Sequence, residues 1–296
     1  MSAFLKKIIA LILLSFILGC SNISHKYPDG DFRIIVLTDI HIKDGGSRAA
    51  RLTALVNDIN NDKYPGVELL VTCGDNVSSI YKEYYPDSSY KGDNRLQRFL
   101  DVVSSLKIPY YLTLGNHEYK IEHERDSDGP YAKEEILRID RIWKEMTGHD
   151  PYYSKVFRGW KLLILNSMSD RHVNRKFSQE QLDWLENELD STHPTLIFFH
   201  HPLRTDNFRF WGHFDQLATV DEEPRFFSIV KKHKKNIKGI FVGHGHTWTH
   251  DKLFKQIDVY ETMSFGDDEE SPFLVIGLGE KNGKINVGRT PLEHNN

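Results

Sequence analysis

The sequence predicts an α/β protein with parallel strands, and three observations support that prediction. Short apolar, β-branched runs, such as residues 31–38 and 67–73, alternate with amphipathic helical patterns. The succession of strand, helix and strand over residues 31–73 favours a parallel crossover connection. No repeat, low-complexity tract or internal linker interrupts the chain after its N-terminal segment, so we expect a single domain over residues 31–296.

The remaining predicted elements follow from the same two periodicities. Apolar residues at helical spacing predict helices over residues 47–60, 95–106, 131–146, 178–189 and 224–235. Continuous apolar runs predict further buried strands over residues 108–114, 195–199 and 237–242. Two short strands, 152–157 and 161–166, flank Arg158-Gly159 in a hairpin pattern, and Asn282-Gly283 is typical of a second hairpin turn.

The composition is typical of a globular chain, with 39% hydrophobic and 27% charged residues. The formal net charge is −4, so the chain lacks the excess of basic residues that nucleic-acid-binding proteins have, and no nucleic-acid partner is expected. The cysteines, Cys20 and Cys73, cannot form a disulfide framework. We expect Cys73, inside a predicted strand, to be a buried residue with a reduced thiol.

The N-terminal segment has the pattern of a secretory signal. Lys6-Lys7 precede an apolar run over residues 8–18, which is shorter than the roughly 20 residues that a membrane-spanning helix needs. The run closes with Ile17-Leu18-Gly19-Cys20, which resembles the bacterial lipobox, in which the cysteine is lipidated and becomes the new N-terminus.

This pattern predicts a lipoprotein held outside the cytoplasm. We expect residues 1–19 to be a signal peptide, and residues 20–30 to be the lipidated cysteine and a polar tether. The protein would then be anchored to a bacterial membrane, in the periplasm or on the cell surface. The alternative is an uncleaved signal anchor, or plain secretion with a chance cysteine.

Polar side chains follow five predicted strands at the points where the strands end. The segments are Asp39-Ile40-His41, Gly74-Asp75, Gly115-Asn116-His117-Glu118, His200-His201-Pro202 and Gly243-His244-Gly245-His246. Each segment alone is weak evidence, because Gly-Asn is a common turn pair and a histidine at a strand edge is often only a polar end. Ligands collect beyond the carboxyl ends of parallel strands, so five such segments together predict a site.

Metal chemistry explains these residue types better than packing does. Residues two apart on an extended chain point to the same side, so Asp39 and His41 can converge on one ion. Asp75 follows a glycine at a strand end, where a carboxylate could bridge two cations. His244 and His246, flanked by glycines, favour a metal site for the same reason of spacing.

The five segments resemble the motif blocks of the calcineurin-like metallophosphoesterases, one by one, over about residues 32–246. The resemblance implies the metallophosphoesterase fold, in which two packed mixed β-sheets are flanked by α-helices and the metals lie at the carboxyl ends of strands. It implies two metal groups that share Asp75: one of Asp39, His41 and His246, and one of Asn116, His200 and His244.

The resemblance also implies a mechanism. Two divalent ions about 3.5–4 Å apart can share a hydroxide and neutralise charge that develops on the phosphoryl group. Oxygen and imidazole donors fit manganese, iron or zinc. His117 resembles the family residue that steadies the phosphoryl oxygen and assists the leaving group, and Glu118 is placed to orient it. His201 is an alternative to His200 as ligand, although Pro202 favours His200.

Two sequence features narrow the class of metal-dependent hydrolase. Purple acid phosphatases have a tyrosine three residues after the bridging aspartate, and Ser78 at that position argues against a tyrosinate-iron centre. A metallopeptidase is disfavoured because Ile121 stands where His-Glu-x-x-His requires its second histidine.

The sequence therefore predicts a metal-dependent hydrolase of a phosphomonoester or phosphodiester. The alternative is a catalytically inactive metal-binding lipoprotein that acts as a binding module. For a small phosphate-ester substrate, the basic and aromatic residues after His200 are candidate contacts, although such a loop could also fold its aromatic side chains inward. These candidates are Arg204, Arg209 and Trp211.

Overall fold

Two mixed β-sheets pack face to face in the computed structural model of the protein. The structure describes residues 27–43, 46–80, 94–120, 133–168, 176–189, 192–207 and 223–290. Cys20 and the predicted signal segment lie outside these ranges, as do Arg209 and Trp211. Within the described ranges, no helix combines the length and the apolar composition needed to span a bilayer.

The first sheet has five strands in the order β11-β10-β1-β2-β3. Their bounds are β1 Phe32–Leu37, β2 Val67–Thr72, β3 Tyr110–Tyr111, β10 Leu274–Leu278 and β11 Ile285–Arg289. β1, β2 and β3 are parallel, whereas β10 and β11 run antiparallel to their neighbours. The parallel pairing of β1 and β2 confirms the predicted crossover, because α1 (Ser47–Asn60) connects them.

The second sheet has six strands in the order β4-β5-β6-β7-β9-β8. Their bounds are β4 Tyr153–Phe157, β5 Trp160–Ile164, β6 Thr195–Phe198, β7 Ile237–Val242, β8 Thr249–Leu253 and β9 Ile257–Glu261. The four central strands β5, β6, β7 and β9 are parallel. β4 and β5 form the predicted hairpin around Arg158-Gly159.

Helices cover the outer faces of both sheets. The helices after α1 are α2 Arg95–Val103, α3 Lys133–Thr147, α4 Gln179–Leu189 and α5 Pro224–Lys232. On β1, Ile35 and Leu37 face the core under α1, α2 and α3, while Ile34 and Val36 face the core between the sheets. Because both faces of such strands are buried, they have the continuous apolar runs seen in the sequence. The layered arrangement of helices and two sheets agrees with the predicted architecture.

One predicted strand is much shorter than its apolar run. The run over residues 108–114 pairs as a strand only at Tyr110–Tyr111. Beyond it, the Leu112 N–H donates to the hydroxyl of Tyr153 at 2.9 Å, and the Thr113 N–H donates to Oγ1 of Thr72 at 3.2 Å. Side chains therefore satisfy these buried backbone groups, and the chain leaves the sheet before Gly115.

Candidate metal centre

Five of the seven predicted ligands lie on short loops and have a left-handed backbone conformation. Positive φ angles occur at Asp39 (52°), His41 (50°), Asp75 (54°), His244 (73°) and His246 (51°). Such angles are uncommon for residues other than glycine, and they concentrate at functional sites. β1 ends at Leu37, so Asp39 and His41 do not converge by extended-strand alternation, and that explanation was wrong. Their side chains meet because the backbone curls after the strand.

The first group comprises Asp39, His41 and His246. Oδ1 of Asp39 lies 3.1 Å from Nε2 of His246 and 3.6 Å from Nε2 of His41. The two Nε2 atoms are 3.5 Å apart. Oδ2 of Asp39 accepts the Thr38 hydroxyl at 2.7 Å and the His244 N–H at 2.9 Å, which leaves Oδ1 for the imidazoles.

The second group comprises Asn116, His200 and His244. Oδ1 of Asn116 lies 2.9 Å from Nε2 of His200 and 2.9 Å from Nδ1 of His244, and these two nitrogens are 3.2 Å apart. Nδ1 of His200 lies 2.8 Å from the Cys73 carbonyl, which accepts its proton and leaves the Nε2 lone pair facing the group.

His201 lies behind this group. Its Nδ1 lies 2.7 Å from the Ser167 hydroxyl, and the residue is buried. A ring nitrogen of His201 also lies within 4.8 Å of those of His200 and His244. The direct contacts of His200 with Asn116 and Asp75 nevertheless agree with the choice of His200 as the ligand.

Asp75 lies between the two groups. Its Oδ2 is 3.3 Å from Nε2 of His200 and 3.8 Å from Nε2 of His41, so one oxygen faces both groups. Its Oδ1 accepts the His117 N–H at 2.8 Å. Burial opposes ionisation of Asp75, but the charges of His200 and His117 outweigh it and lower the carboxyl pKa. The geometry is that expected of a bridging carboxylate.

These donors fit divalent metal ions. Carboxylate oxygens, a carboxamide oxygen and imidazole nitrogens converge at separations of about 3 to 4 Å, and all but those of half-buried His244 and exposed His246 belong to buried residues. Burial lowers the pKa of His200, but Asp75 overcomes it and raises that pKa to about 9, while burial and His200 lower the pKa of His244 to about 3. The carboxylate charge that favours a proton on His200 would also attract a metal cation, which would replace that proton on Nε2. This donor set suits manganese, iron or zinc.

Glu118 has a different contact from the one expected. Its buried carboxylate accepts backbone N–H groups of Gly115 (2.6 Å), Asp75 (3.1 Å), Asn76 (2.7 Å) and Val77 (3.1 Å). We expected it to orient His117, but the described contacts of the His117 ring are with Ser78, Asp75 and the ring of His41. Glu118 therefore fixes the backbone that carries Asp75 and Asn116.

His117 borders the site between Asp75 and His41. Its Nδ1 lies 3.1 Å from the Ser78 carbonyl, and its Nε2 lies 3.9 Å from Oδ2 of Asp75. The carbonyl accepts the Nδ1 proton, so Nε2 is the nitrogen that can exchange a proton in the pocket. Burial lowers the pKa of His117 to about 4, against the opposing charge of Asp75.

Gly115 is required by close approach and not by a turn. A Cβ atom at this position would lie 2.2 Å from Oδ1 and 2.4 Å from the backbone nitrogen of Asp75. Its φ angle is not in the left-handed region, in contrast to Gly74, where φ is 91°. The glycine lets the segment with Asn116 pack directly on the segment with Asp75.

A pocket of about 280 Å³ opens onto the two groups. Besides predicted site residues, its lining includes Lys43, Arg48 and Asp267, which the sequence analysis missed. Lys43 lies two residues after His41, but this spacing was not a valid signal, because the chain is not extended at Asp39 and His41. Asp267 lies beyond the last motif, and no sequence pattern marks it. Arg204 is exposed and is not part of this lining.

The sequence profile of the calcineurin-like phosphoesterase family matches residues 32–248 of the chain. The chain belongs to this family. The match confirms the resemblance on which the two ligand groups were assigned, and the family is one of phosphoric ester hydrolases.

Named relatives of the chain are bacterial proteins. A Moraxella catarrhalis protein called a probable cyclic nucleotide phosphodiesterase is 25% identical over 224 residues, which cover 73% of this chain and 71% of that protein. A Synechococcus protein with the same description is 26% identical over 151 residues, 51% of each chain. The chain spans about half the length of this relative and of a similar Psychrobacter protein.

A solved structure supports the fold. The crystal structure of a dimetal phosphatase from Danio rerio is similar with a TM-score of 0.59, at 15% identity, over 85% of this chain and 94% of that one. At 15% identity, this structural similarity supports the fold but not a particular function. It confirms the predicted metallophosphoesterase fold of two packed sheets flanked by helices.

Proposed function

We propose that the chain hydrolyses phosphoric esters with two divalent metal ions held on either side of Asp75. The observation that carries this proposal is the contact of one Asp75 oxygen with imidazoles of both ligand groups, at 3.3 Å to His200 and 3.8 Å to His41. Two such ions, when bound, activate water as a nucleophile and neutralise charge on the phosphoryl oxygens.

The chain's own residues bind the ester and handle the proton. His117 borders the pocket, and the Ser78 carbonyl binds Nδ1, which leaves Nε2 free to reach a phosphoryl group bound there. A phosphate anion beside this nitrogen favours its protonated form, which can then transfer the proton to the leaving oxygen. Lys43 adds a positive charge at the pocket wall, which suits an anionic substrate.

A cyclic nucleotide diester is the substrate class that we propose to test first. This class is suggested by relatives of the chain that are described as probable cyclic nucleotide phosphodiesterases and are about a quarter identical to it. Lys43 on the pocket wall can interact with the single phosphate charge of such an ester.

Turnover of chromogenic esters tests the proposal. Purified protein with Mn²⁺ should hydrolyse bis-p-nitrophenyl phosphate or p-nitrophenyl phosphate, and cyclic nucleotides should then be compared with sugar phosphates and phospholipid headgroups. EDTA should abolish the activity. Bound metal without turnover of any of these esters would contradict the proposal and favour the binding-module alternative.

His117→Ala should separate catalysis from metal binding. We expect kcat to fall by about 10²–10⁴-fold, because the variant lacks the proton-transferring imidazole. The metal content should be unchanged, because His117 belongs to neither proposed ligand group. Steady-state kinetics and elemental analysis give the two readouts, with His250→Ala on β8 as the control. Loss of metal in His117→Ala would contradict the role.

We also propose that the chain is a lipoprotein anchored through Cys20, outside the cytoplasm. The support is the sequence pattern alone, with two lysines, an apolar run and the lipobox-like segment ending at Cys20. In bacterial cells fed radiolabelled palmitate, the wild-type chain should be labelled in the membrane fraction and Cys20→Ser should not. Equal labelling of the variant would refute lipidation at this residue.

A further inference from the structure

Asp267 contacts both imidazoles of the first ligand group, although it belongs to none of the five predicted segments. Its Oδ2 lies 3.5 Å from Nδ1 of His246 and 3.9 Å from Nε2 of His41. Its side chain is 38% exposed and lines the pocket. The other ring nitrogen of His246, Nε2, faces Asp39 at 3.1 Å. The imidazole of His246 therefore lies between two carboxylates.

The segment that carries Asp267 is fixed to the backbone of the first group. The contacts are Phe265 N–H to the Thr38 carbonyl (3.0 Å), Gly266 N–H to the Asp39 carbonyl (2.9 Å) and the Ser264 hydroxyl to the same Asp39 carbonyl (2.8 Å). A Cβ at Gly266 would lie 2.0 Å from the Ile40 carbonyl oxygen, so only glycine permits this approach. The loop after β9 is thus held firmly against the loop that carries Asp39 and His41.

Arg48 holds the Asp267 carboxylate in a defined orientation. Its guanidinium donates to the carbonyls of His41 (2.9 Å) and Gly266 (3.2 Å), and it also binds Oδ1 of Asp267. Because Oδ1 is held by Arg48, Oδ2 is the oxygen directed at His246. Arg48 thus connects the backbone of His41 to the carboxylate of Asp267, which lies beside His246.

We infer that Asp267 is a positioning residue for the metal of the first group, acting through His246. A carboxylate at Nδ1 of a ligating imidazole fixes the ring orientation, keeps the lone pair on Nε2 and makes that nitrogen a stronger donor. His246 has this arrangement, because its Nε2 faces Asp39 and its Nδ1 faces Asp267. The inference rests on the proposed two-metal site and names a residue outside the family match, which ends at residue 248.

Direct measurement of metal binding tests this inference. We would titrate Mn²⁺ into the metal-free full-length protein, follow binding by calorimetry and by the electron paramagnetic resonance signal of free Mn²⁺, and measure kcat separately. Asp267→Asn should bind one of two ions about 10- to 100-fold more weakly and the other with wild-type affinity. At saturating Mn²⁺, its kcat should recover most of the wild-type value. The control is Glu269→Gln, an exposed acid on the same segment, which should match wild type.

A conservative variant separates charge from shape. Asp267→Glu keeps the carboxylate, so its weaker-binding ion should have an affinity closer to wild type than that of Asp267→Asn. Wild-type affinity for both ions in Asp267→Asn, or equal weakening in Asp267→Glu, would overturn the inference. Thermal unfolding of the metal-free variants checks that they fold. A wild-type chain that binds two ions but hydrolyses no ester would refute the proposed function and leave the Asp267 result standing.

Discussion

Asp75→Asn should abolish metal-dependent turnover. The wild-type carboxylate presents Oδ2 to His200 and His41 together, and a neutral carboxamide cannot bridge two cations with comparable strength. We expect kcat to fall by at least ~10³-fold, which corresponds to about 4 kcal/mol of transition-state stabilisation. The measurement is hydrolysis of bis-p-nitrophenyl phosphate at saturating Mn²⁺, together with the metal content of the variant.

The chain offers a matched control for this substitution. Asp62 has almost the same φ angle, 57° against 54° at Asp75, and it is exposed in the connection after α1. Asparagine tolerates this left-handed conformation as well as aspartate does. Asp62→Asn should therefore keep wild-type activity and metal content. Turnover retained in Asp75→Asn would contradict the bridging role.

Glu118→Gln should destabilise the protein and weaken its metal site. The carboxylate accepts four backbone N–H groups, and a glutamine would place its own NH₂ group against some of these donors. Hydrogen bonds to a charged acceptor contribute about 1.5–3 kcal/mol each, so we expect a loss of ~3 kcal/mol in the free energy of unfolding. For a chain of this size that lowers Tm by roughly 6–12 °C.

The metal dependence of this effect provides its sharpest test. Without metal, burial and the Asp75 carboxylate raise the pKa of Glu118 to about 7, against the N–H donors of Gly115 and Val77. Cations bound at Asp75 offset that repulsion and favour the ionised form. The Tm difference between wild type and Glu118→Gln should therefore be larger with Mn²⁺ than with EDTA. Glu145→Gln, exposed on α3, is the control. A variant as stable as wild type under both conditions would contradict the role of Glu118.

Much of the fold and of the candidate ligand set could be predicted from local sequence patterns. Strands buried on both faces have continuous apolar runs, and α1 has its apolar residues at helical spacing, so both were visible. The polar segments stand where those runs end. Parallel β1, β2, β6 and β7 then bring these segments to one edge of the packed sheets, and residues such as Asp39 and His246 meet there.

The features that could not be predicted depend on contacts between distant segments. The short β3 results from the Tyr153 hydroxyl, which takes the place of a neighbouring strand at Leu112. Glu118 was assigned to its sequence neighbour His117, but the fold brings the backbone of Asp75 to Val77 against it instead. Asp267 reaches the site because β9 and β10 belong to different sheets, and the loop between them packs against the residues that follow β1.

Anomalous diffraction from crystals grown with Mn²⁺ tests the central claim most directly. We expect two manganese peaks, one among Asp39, His41 and His246 and one among Asn116, His200 and His244, with Asp75 in contact with both. A single peak, or two peaks of which only one contacts Asp75, would contradict the shared two-metal centre on which the proposed hydrolysis depends.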